Sequence, residues 1–254
     1  MLKIIQLLVL TDNYIYLIHD EDSGETAVVD PAVAEPVLDY LAKQGWQLKY
    51  VLNTHHHLDH VEGNTALKQN TGCKVIAGQS DAQRIPDFDS GVSEGDELFL
   101  GEHKIRVIAT PGHTSGHVVY LFEQDELLFC GDTLFVMGCG RLFEGSPEQM
   151  YASLTKLKAL PCETKVYCAH EYTQANGRFA LSVEPDNQAL QAKILRVAQL
   201  RNNNQPTVPS TIAEERATNP FFRADSLSVQ NTLGLIGSKS VEVFTALRKR
   251  KDVF

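Results

Sequence analysis

The sequence lacks long hydrophobic runs, paired-cysteine motifs and an excess of basic charge. No stretch reaches the ~18 consecutive apolar residues of a membrane-spanning helix, so no membrane partner is expected. The apolar start from Met1 to Leu10 is interrupted at Gln6 and is followed by no small-residue cleavage site. It reads as a first strand rather than an export signal. The five cysteines, Cys73, Cys130, Cys139, Cys162 and Cys168, are an odd number with no C-x-x-C pair. That count points to free, buried thiols in a reducing compartment, and so to the cytoplasm. Lys and Arg total 23 against 32 Asp and Glu, a net charge of −9. An acidic surface repels a phosphate backbone, so nucleic acid is not an expected partner. No heptad pattern and no long exposed apolar face is evident, which makes a monomer the expected state.

What remains is an ordinary globular composition, 43% hydrophobic and 22% charged over 254 residues. A chain of this length buries ~70–75% of its unfolded surface and needs neither disulfide nor metal merely to fold. Residues 2–30 read as short strands, with Tyr14, Tyr16 and Ile18 alternating with Ile15, Leu17 and His19. Glu35–Gln44 has helical spacing and closes near Gly45, and Lys49–Asn53 is a β-rich run. A helix is expected over Glu62–Gln69 and a strand over Lys74–Ala77. Hairpins are expected over Asp96–Ala109 and Val118–Cys130. Pro147–Leu160 is predicted helical, with Ser146 as its N-cap and Pro147 at its first position. Val166–Ala169 is a last strand. The pattern then turns nearly all-helical, over 173–204, Thr211–Ala217 and Ser226 to the end. The expected fold class is α+β with a helical appendage. Its domains are expected at 1–172 and 173–254.

Four of the nine histidines crowd into Thr54-His55-His56-His57-Leu58-Asp59-His60. The segment lies between a strand-like and a helix-like run, on the kind of loop that carries function. On extended backbone His55 and His57 project the same way and can grip one ion, and His56 points the other way. Asp59 and His60 lie where the chain turns into the helix and can face a second ion. Three further strand ends each deliver one His or Asp: His113 in Thr110-Pro111-Gly112-His113-Thr114, Asp132 in Gly131-Asp132-Thr133, and His170 in Ala169-His170-Glu171. A Gly-Asp after a strand is by itself usually a turn. Four strand ends converging on nitrogen and oxygen donors point to a metal centre.

These motifs resemble the metallo-β-lactamase fold superfamily. Asp12-Asn13-Tyr14-Ile15-Tyr16-Leu17, Gly138-Cys139-Gly140-Arg141, His170-Glu171-Tyr172-Thr173 and Asn219-Pro220-Phe221-Phe222-Arg223 narrow it. With the Leu247–Asp252 ending, they resemble the glyoxalase II family, hydroxyacylglutathione hydrolases, across essentially the whole chain. The resemblance implies an αββα sandwich followed by a smaller all-helical domain that contributes to a glutathione pocket. It implies that His55, His57 and His113 bind one metal, that Asp59, His60 and His170 bind the other, and that Asp132 bridges both. Asp59 and Asp132 are then the catalytic carboxylates. The cofactors are two divalent ions, Zn2+ first, with Fe or Mn equally suited to such donors. The implied reaction is hydrolysis of S-D-lactoylglutathione to D-lactate and glutathione, the second step of methylglyoxal detoxification, by a metal-bridging hydroxide. The competing readings are another binuclear hydrolase or a persulfide dioxygenase on the same fold. Arg141, Tyr172, Arg248 and Lys251 match positions that contact glutathione. Phe143 departs from the pattern, standing where some members place a tyrosine hydroxyl. Among the spare side chains, His19 and His103 read as surface or turn residues and Cys139 as packing. His117 reads either as a donor to a ligand or as a plain strand residue.

Overall fold

Alternating apolar side chains make the first thirty residues a meander of three strands: β1 (Leu2–Val9), β2 (Asn13–Asp20) and β3 (Glu25–Val29). A computed structural model describes residues 1–254. β1 pairs antiparallel with β2, from Leu2 opposite Asp20 to Val9 opposite Asn13, and β2 pairs antiparallel with β3. The chain forms two compact units, Met1–Ala109 with Ser115–Gly131, and Thr110–Thr114 with Asp132–Phe254. These units do not follow the change in composition near Tyr172.

In the first unit, β3 continues through α1 (Glu35–Gln44), β4 (Gln47–Leu52), α2 (Leu58–Val61), α3 (Asn64–Thr71), β5 (Lys74–Gly78) and β6 (Ser90–Val92). The helices cross over from β3 to β4 and from β4 to β5, and a loop joins β5 to β6, so β3, β4, β5 and β6 pair in parallel and complete a sheet ordered β1 to β6. α1 has Pro36 in its first turn and ends on Gly45 in the left-handed conformation. Its Val37 and Leu41 pack into a core with Ile15, Leu17, Val28, Val51, Leu67 and Val75. The expected Glu62–Gln69 helix begins earlier, as α2, and restarts at Asn64. A second, antiparallel set of strands follows: β7 (Glu97–Leu100), β8 (His103–Ala109), β9 (Val118–Phe122) and β10 (Leu127–Gly131). Tyr120 on β9 reaches the first sheet, its hydroxyl donating to the Asn53 carbonyl at 2.9 Å. Tyr16 and Phe129 meet between the sheets at 5.4 Å.

The second unit contains β11 (Leu134–Phe135), β12 (Gly138–Cys139), α4 (Pro147–Lys158), β13 (Lys165–Cys168), α5 (Thr173–Val183), α6 (Gln188–Asn202), β14 (Ser210–Thr211), α7 (Ile212–Thr218), α8 (Leu227–Leu233) and α9 (Ser240–Asp252). α4 opens on a reciprocal capping box between Ser146 and Gln149. The helical run expected over 173–204 is interrupted around Pro185, and the one expected from Ser226 onward breaks at Gly234, which takes a left-handed φ of 67°. The content is α+β, as expected. No helix is long and apolar enough to cross a membrane.

Two expectations are corrected. His19 is not a surface residue; it is buried on β2 and stacks on Trp46 with ring centroids 3.8 Å apart. Cys162 is exposed, whereas the other four cysteines are buried and all five are free.

At the end of β2 the Asp20 carboxylate is buried. Burial by itself would raise its pKa. Hydrogen bonds from Ser23 and from the Asp22 and Ser23 backbone N–H groups outweigh that and bring it down to about 2. A folded pKa below the unfolded value stabilises the protein above the unfolded value and loses that stabilisation as pH falls through the folded one. Between pH 4 and pH 2, Asp20→Asn is therefore expected to lose less stability than the parent, while being the weaker protein at pH 7. Urea unfolding at pH 7, 4, 3 and 2 measures this; parallel losses in the two proteins would contradict it.

Candidate metal centre

β4 stops at Leu52, and five residues later His57 caps α2 in extended conformation (φ −61°, ψ 145°). The first unit thus presents His55, His57, Asp59 and His60 within one short loop and helical turn. His55 Nε2 and His57 Nδ1 are 2.9 Å apart. His60 Nε2 lies 3.7 Å from Asp59 Oδ2. His56 turns away, its Nδ1 3.1 Å from Asp81 Oδ2 and its Nε2 3.2 Å from Arg84.

A carboxylate not foreseen from the sequence organises this loop. Asp30 is buried; it accepts from the Thr54 backbone N–H at 2.8 Å and from Thr54 Oγ1 at 2.7 Å, and its Oδ2 lies 3.1 Å from His60 Nδ1. A carboxylate on Nδ1 leaves Nε2 as the metal-binding nitrogen and raises its basicity. Asn13 is the second omission. Its Nδ2 donates to both the Asp59 backbone carbonyl and Oδ2 at 3.1 Å, aiming that side chain. The signal for Asp30 was there: it follows the β3 run directly, the same strand-end position that singled out Asp132. His117 is buried and stacks on His55 at 4.9 Å, so the structure places it beside a candidate ligand.

The second unit presents His113, Asp132 and His170. Here one carboxylate faces two imidazoles. Asp132 Oδ2 is 3.4 Å from His113 Nε2, and Asp132 Oδ1 is 3.4 Å from His170 Nε2. The His113 Nδ1–H donates to the Arg141 carbonyl at 2.8 Å, which can only accept. In its neutral form the ring then turns the Nε2 lone pair toward a carboxylate oxygen, and the two are donor atoms that one cation can share. Donors bound at ~2.1 Å in tetrahedral geometry stand ~3.4 Å apart, so the residues fit a divalent ion. Gly140 makes the arrangement possible, because a Cβ there would meet the Asp132 carbonyl oxygen at 2.0 Å and His113 Nδ1 at 3.0 Å.

A cavity of about 380 Å³ opens on Asp132 and His113, and it is lined as well by Arg141, Tyr172, Arg248 and Lys251. All four sequence-predicted substrate residues thus meet in one place. Tyr172 stacks parallel on His170 at 4.7 Å. Arg248 is only 3% exposed; its guanidinium donates to the Cys139 carbonyl at 2.9 Å and pairs with Asp252 at 2.8 Å. Burial, and then the positive charges of Arg248, Arg178 and Arg141, push the Lys251 ammonium down. An anion in the cavity would relieve that surplus of positive charge. A larger cavity, of about 590 Å³, lies elsewhere, where Asp20 and Asp22 face the Met1 ammonium. Phe143 also lines the smaller cavity, edge-on to His113 at 5.2 Å, with no hydroxyl to offer.

Cys139 lies on the same cavity wall. Burial pushes its thiol up to about 11, with the Arg248 guanidinium pulling only part of the way back. It is a protonated packing group and no nucleophile at pH 7. Labelling native protein with iodoacetamide at pH 8 is expected to modify Cys162 and to spare Cys73, Cys130, Cys139 and Cys168 until urea is added. Peptide mapping reads the sites; rapid native labelling of Cys139 would contradict its assigned state.

The family model described as the metallo-β-lactamase superfamily matches residues 9–170, and the model described as the hydroxyacylglutathione hydrolase C-terminus matches residues 171–254. A protein named hydroxyacylglutathione hydrolase from Methylococcus capsulatus is 58% identical over 254 residues, covering 100% of this chain and 99% of its own. One of the same name from Rhodospirillum rubrum is 51% identical over 253 residues, covering 100% and 99%. Among solved structures, ETHE1 from Myxococcus xanthus superposes with a TM-score of 0.68 at 28% identity, covering 99% of both chains.

Proposed function

This chain belongs to the hydroxyacylglutathione hydrolase family, within the metallo-β-lactamase superfamily, and from that premise we propose that it hydrolyses S-(2-hydroxyacyl)glutathione thioesters, chiefly S-D-lactoylglutathione, to D-lactate and glutathione. The observation that carries the reading is Asp132, whose two oxygens each face an imidazole Nε2 at 3.4 Å beside a cavity rich in cationic side chains. His55, His57 and His113 are assigned to one ion, Asp59, His60 and His170 to the other, and Asp132 to both. Zn2+ is the first expectation and Fe or Mn the alternatives. When bound, such ions supply a water acidified toward neutral pH and positive charge beside the thioester carbonyl. Residues 1–172 form the catalytic domain of this reading, and 173–254 the helical domain that completes the glutathione pocket. The protein acts as a cytoplasmic monomer on a small molecule.

The chain's own groups do the rest. Asp30 and the Arg141 carbonyl keep Nδ1 of His60 and His113 engaged, so that each ring offers Nε2. Asn13 aims Asp59. Arg141, Arg248 and Lys251 meet the carboxylates of glutathione, and Tyr172 flanks the tripeptide. The leaving group is a thiolate whose conjugate acid has a pKa of ~8.5, so departure needs no general acid. No protein nucleophile is required, and Cys139, protonated, offers none.

The test is loss of thioester absorbance from S-D-lactoylglutathione, before and after chelation and then with Zn2+, Fe2+ or Mn2+ restored. Turnover that disappears with the metal and returns with it supports the proposal. A protein that holds two metal ions and leaves this thioester intact would sink it.

A further inference from the structure

Glu215, on α7, is fully buried, and its carboxylate is saturated. Oε1 accepts from Lys193 Nζ at 2.7 Å and from Ser210 Oγ at 2.5 Å. Oε2 accepts from the Met137 backbone N–H at 2.8 Å and from Asn219 Nδ2 at 2.9 Å. The Asn219 amide also donates to the carbonyls of Phe135 at 3.2 Å and Gly138 at 2.9 Å. Asn176 holds the Val136 carbonyl at 3.2 Å, and Arg248 holds that of Cys139. Peptide groups from 135 to 139 are thus each taken by a side chain, three of them through Glu215 or its partner Asn219.

The element so held is the β11–β12 hairpin, with two residues per strand and Met137 at a φ of 57°. So short a hairpin does not stand alone, and its buried peptide groups must find partners elsewhere. Its ends explain why its position matters. Asp132 lies just before it. Arg141 lies just after it, and the Arg141 carbonyl orients the His113 ring. One candidate ligand and the orienting group of another therefore depend on where this hairpin rests.

We infer that Glu215 is a positioning residue: through Met137 and Asn219 it sets the hairpin that places Asp132 and turns His113. This rests on the reading of Asp132 and His113 as metal ligands. A buried Lys–Glu pair is expensive to desolvate, and apolar residues of similar volume would pack the helices as well. They could not accept from Met137 and Asn219 together. Nor can glutamine accept from all four donors, because one of its two terminal atoms is itself a donor.

The experiment compares the parent holoenzyme with Glu215→Gln, Asn219→Ala, their double variant, and Glu184→Gln. Zn2+ affinity is read by competition with a chelating dye, kcat and KM on S-D-lactoylglutathione, and Tm by calorimetry. Glu215→Gln and Asn219→Ala should each weaken Zn2+ binding and lower kcat by about 10–100-fold. KM should stay within about 3-fold. The double variant should lose little more than the worse single one, because both act through one hairpin. Glu184 is also buried in the helical segment and is paired with Arg223 at 2.7 Å, away from the hairpin. Its variant should lose Tm and keep Zn2+ affinity and kcat. If Glu215→Gln behaves like Glu184→Gln, the inference is overturned. Should Glu215→Gln fail to fold, Asn219→Ala decides alone, since it leaves the Lys193–Glu215 pair intact. Asp132→Asn, run alongside, separates the two readings. Retained Zn2+ affinity and rate there would overturn the ligand assignment and this inference with it. Loss there without loss in the Glu215 and Asn219 variants overturns the inference alone.

Discussion

Asp132→Ala is expected to reduce turnover of the thioester more than about 10³-fold. Replacing groups that merely orient a ligand typically costs 10–100-fold, and Asp132 is assigned to both ions at once, so its loss would take a donor from each of the ions that would acidify the water. The loss should fall on kcat, because the cationic wall of the cavity is untouched. Metal content should fall with it. The parent protein gains stability from Zn2+ by mass action, about 4 kcal/mol at a thousandfold excess over Kd, and the variant should gain far less. Calorimetry with and without Zn2+ measures that difference independently of activity. A variant that keeps the parental rate with a full complement of metal would remove Asp132 from the centre.

The second large effect separates two neighbouring cations. Lys251→Met should raise KM for the glutathione thioester by about 10-fold or more, the worth of one hydrogen bond to a charged group. kcat should barely change. Stability should change little, because burial and the surrounding positive charges already disfavour this ammonium, which offsets the loss of its position over the Phe179 and Phe254 rings at 5.3 and 5.4 Å. Arg248→Ala should raise KM too, but at a cost in stability of about 2–3 kcal/mol. Its guanidinium is buried, holds the Cys139 carbonyl and pairs with Asp252. Its effect on kcat should also exceed that of Lys251→Met, since it braces the hairpin beside Asp132. Equal effects of the two substitutions on both KM and Tm would show that the structure has misassigned their roles.

The candidate ligands were legible because their signals are local. His55 and His57 are separated by one residue on extended backbone, and Asp132, His113 and His170 each follow a β-run. α1 was legible for the same reason: its apolar spacing and Gly45 lie within a dozen residues. Arg248 and Lys251 stand three apart on one helix, and the structure brings both to one cavity.

Other residues carry no such pattern. Asp30 and His60 are thirty residues apart, and Asn13 and Asp59 forty-six. The hairpin at 134–139 is too short to show any period. His19 shares the phase of the core residues Ile15 and Leu17, but its polar ring near a strand end reads as surface; the Trp46 ring stacked on it and Thr26 beside it accompany its burial. Sequence by itself determined the donor types and their place at strand ends, because metal chemistry selects residue types and backbone geometry selects their spacing; the reaction class followed from the resemblance of whole motifs to the glyoxalase II family. Only the tertiary structure decided which remote groups orient the His60 and His113 imidazoles, which histidine is buried, and which helical side chains hold the hairpin beside Asp132. A hydrogen bond between distant residues leaves no mark on the neighbours of either, so only the folded chain reveals it.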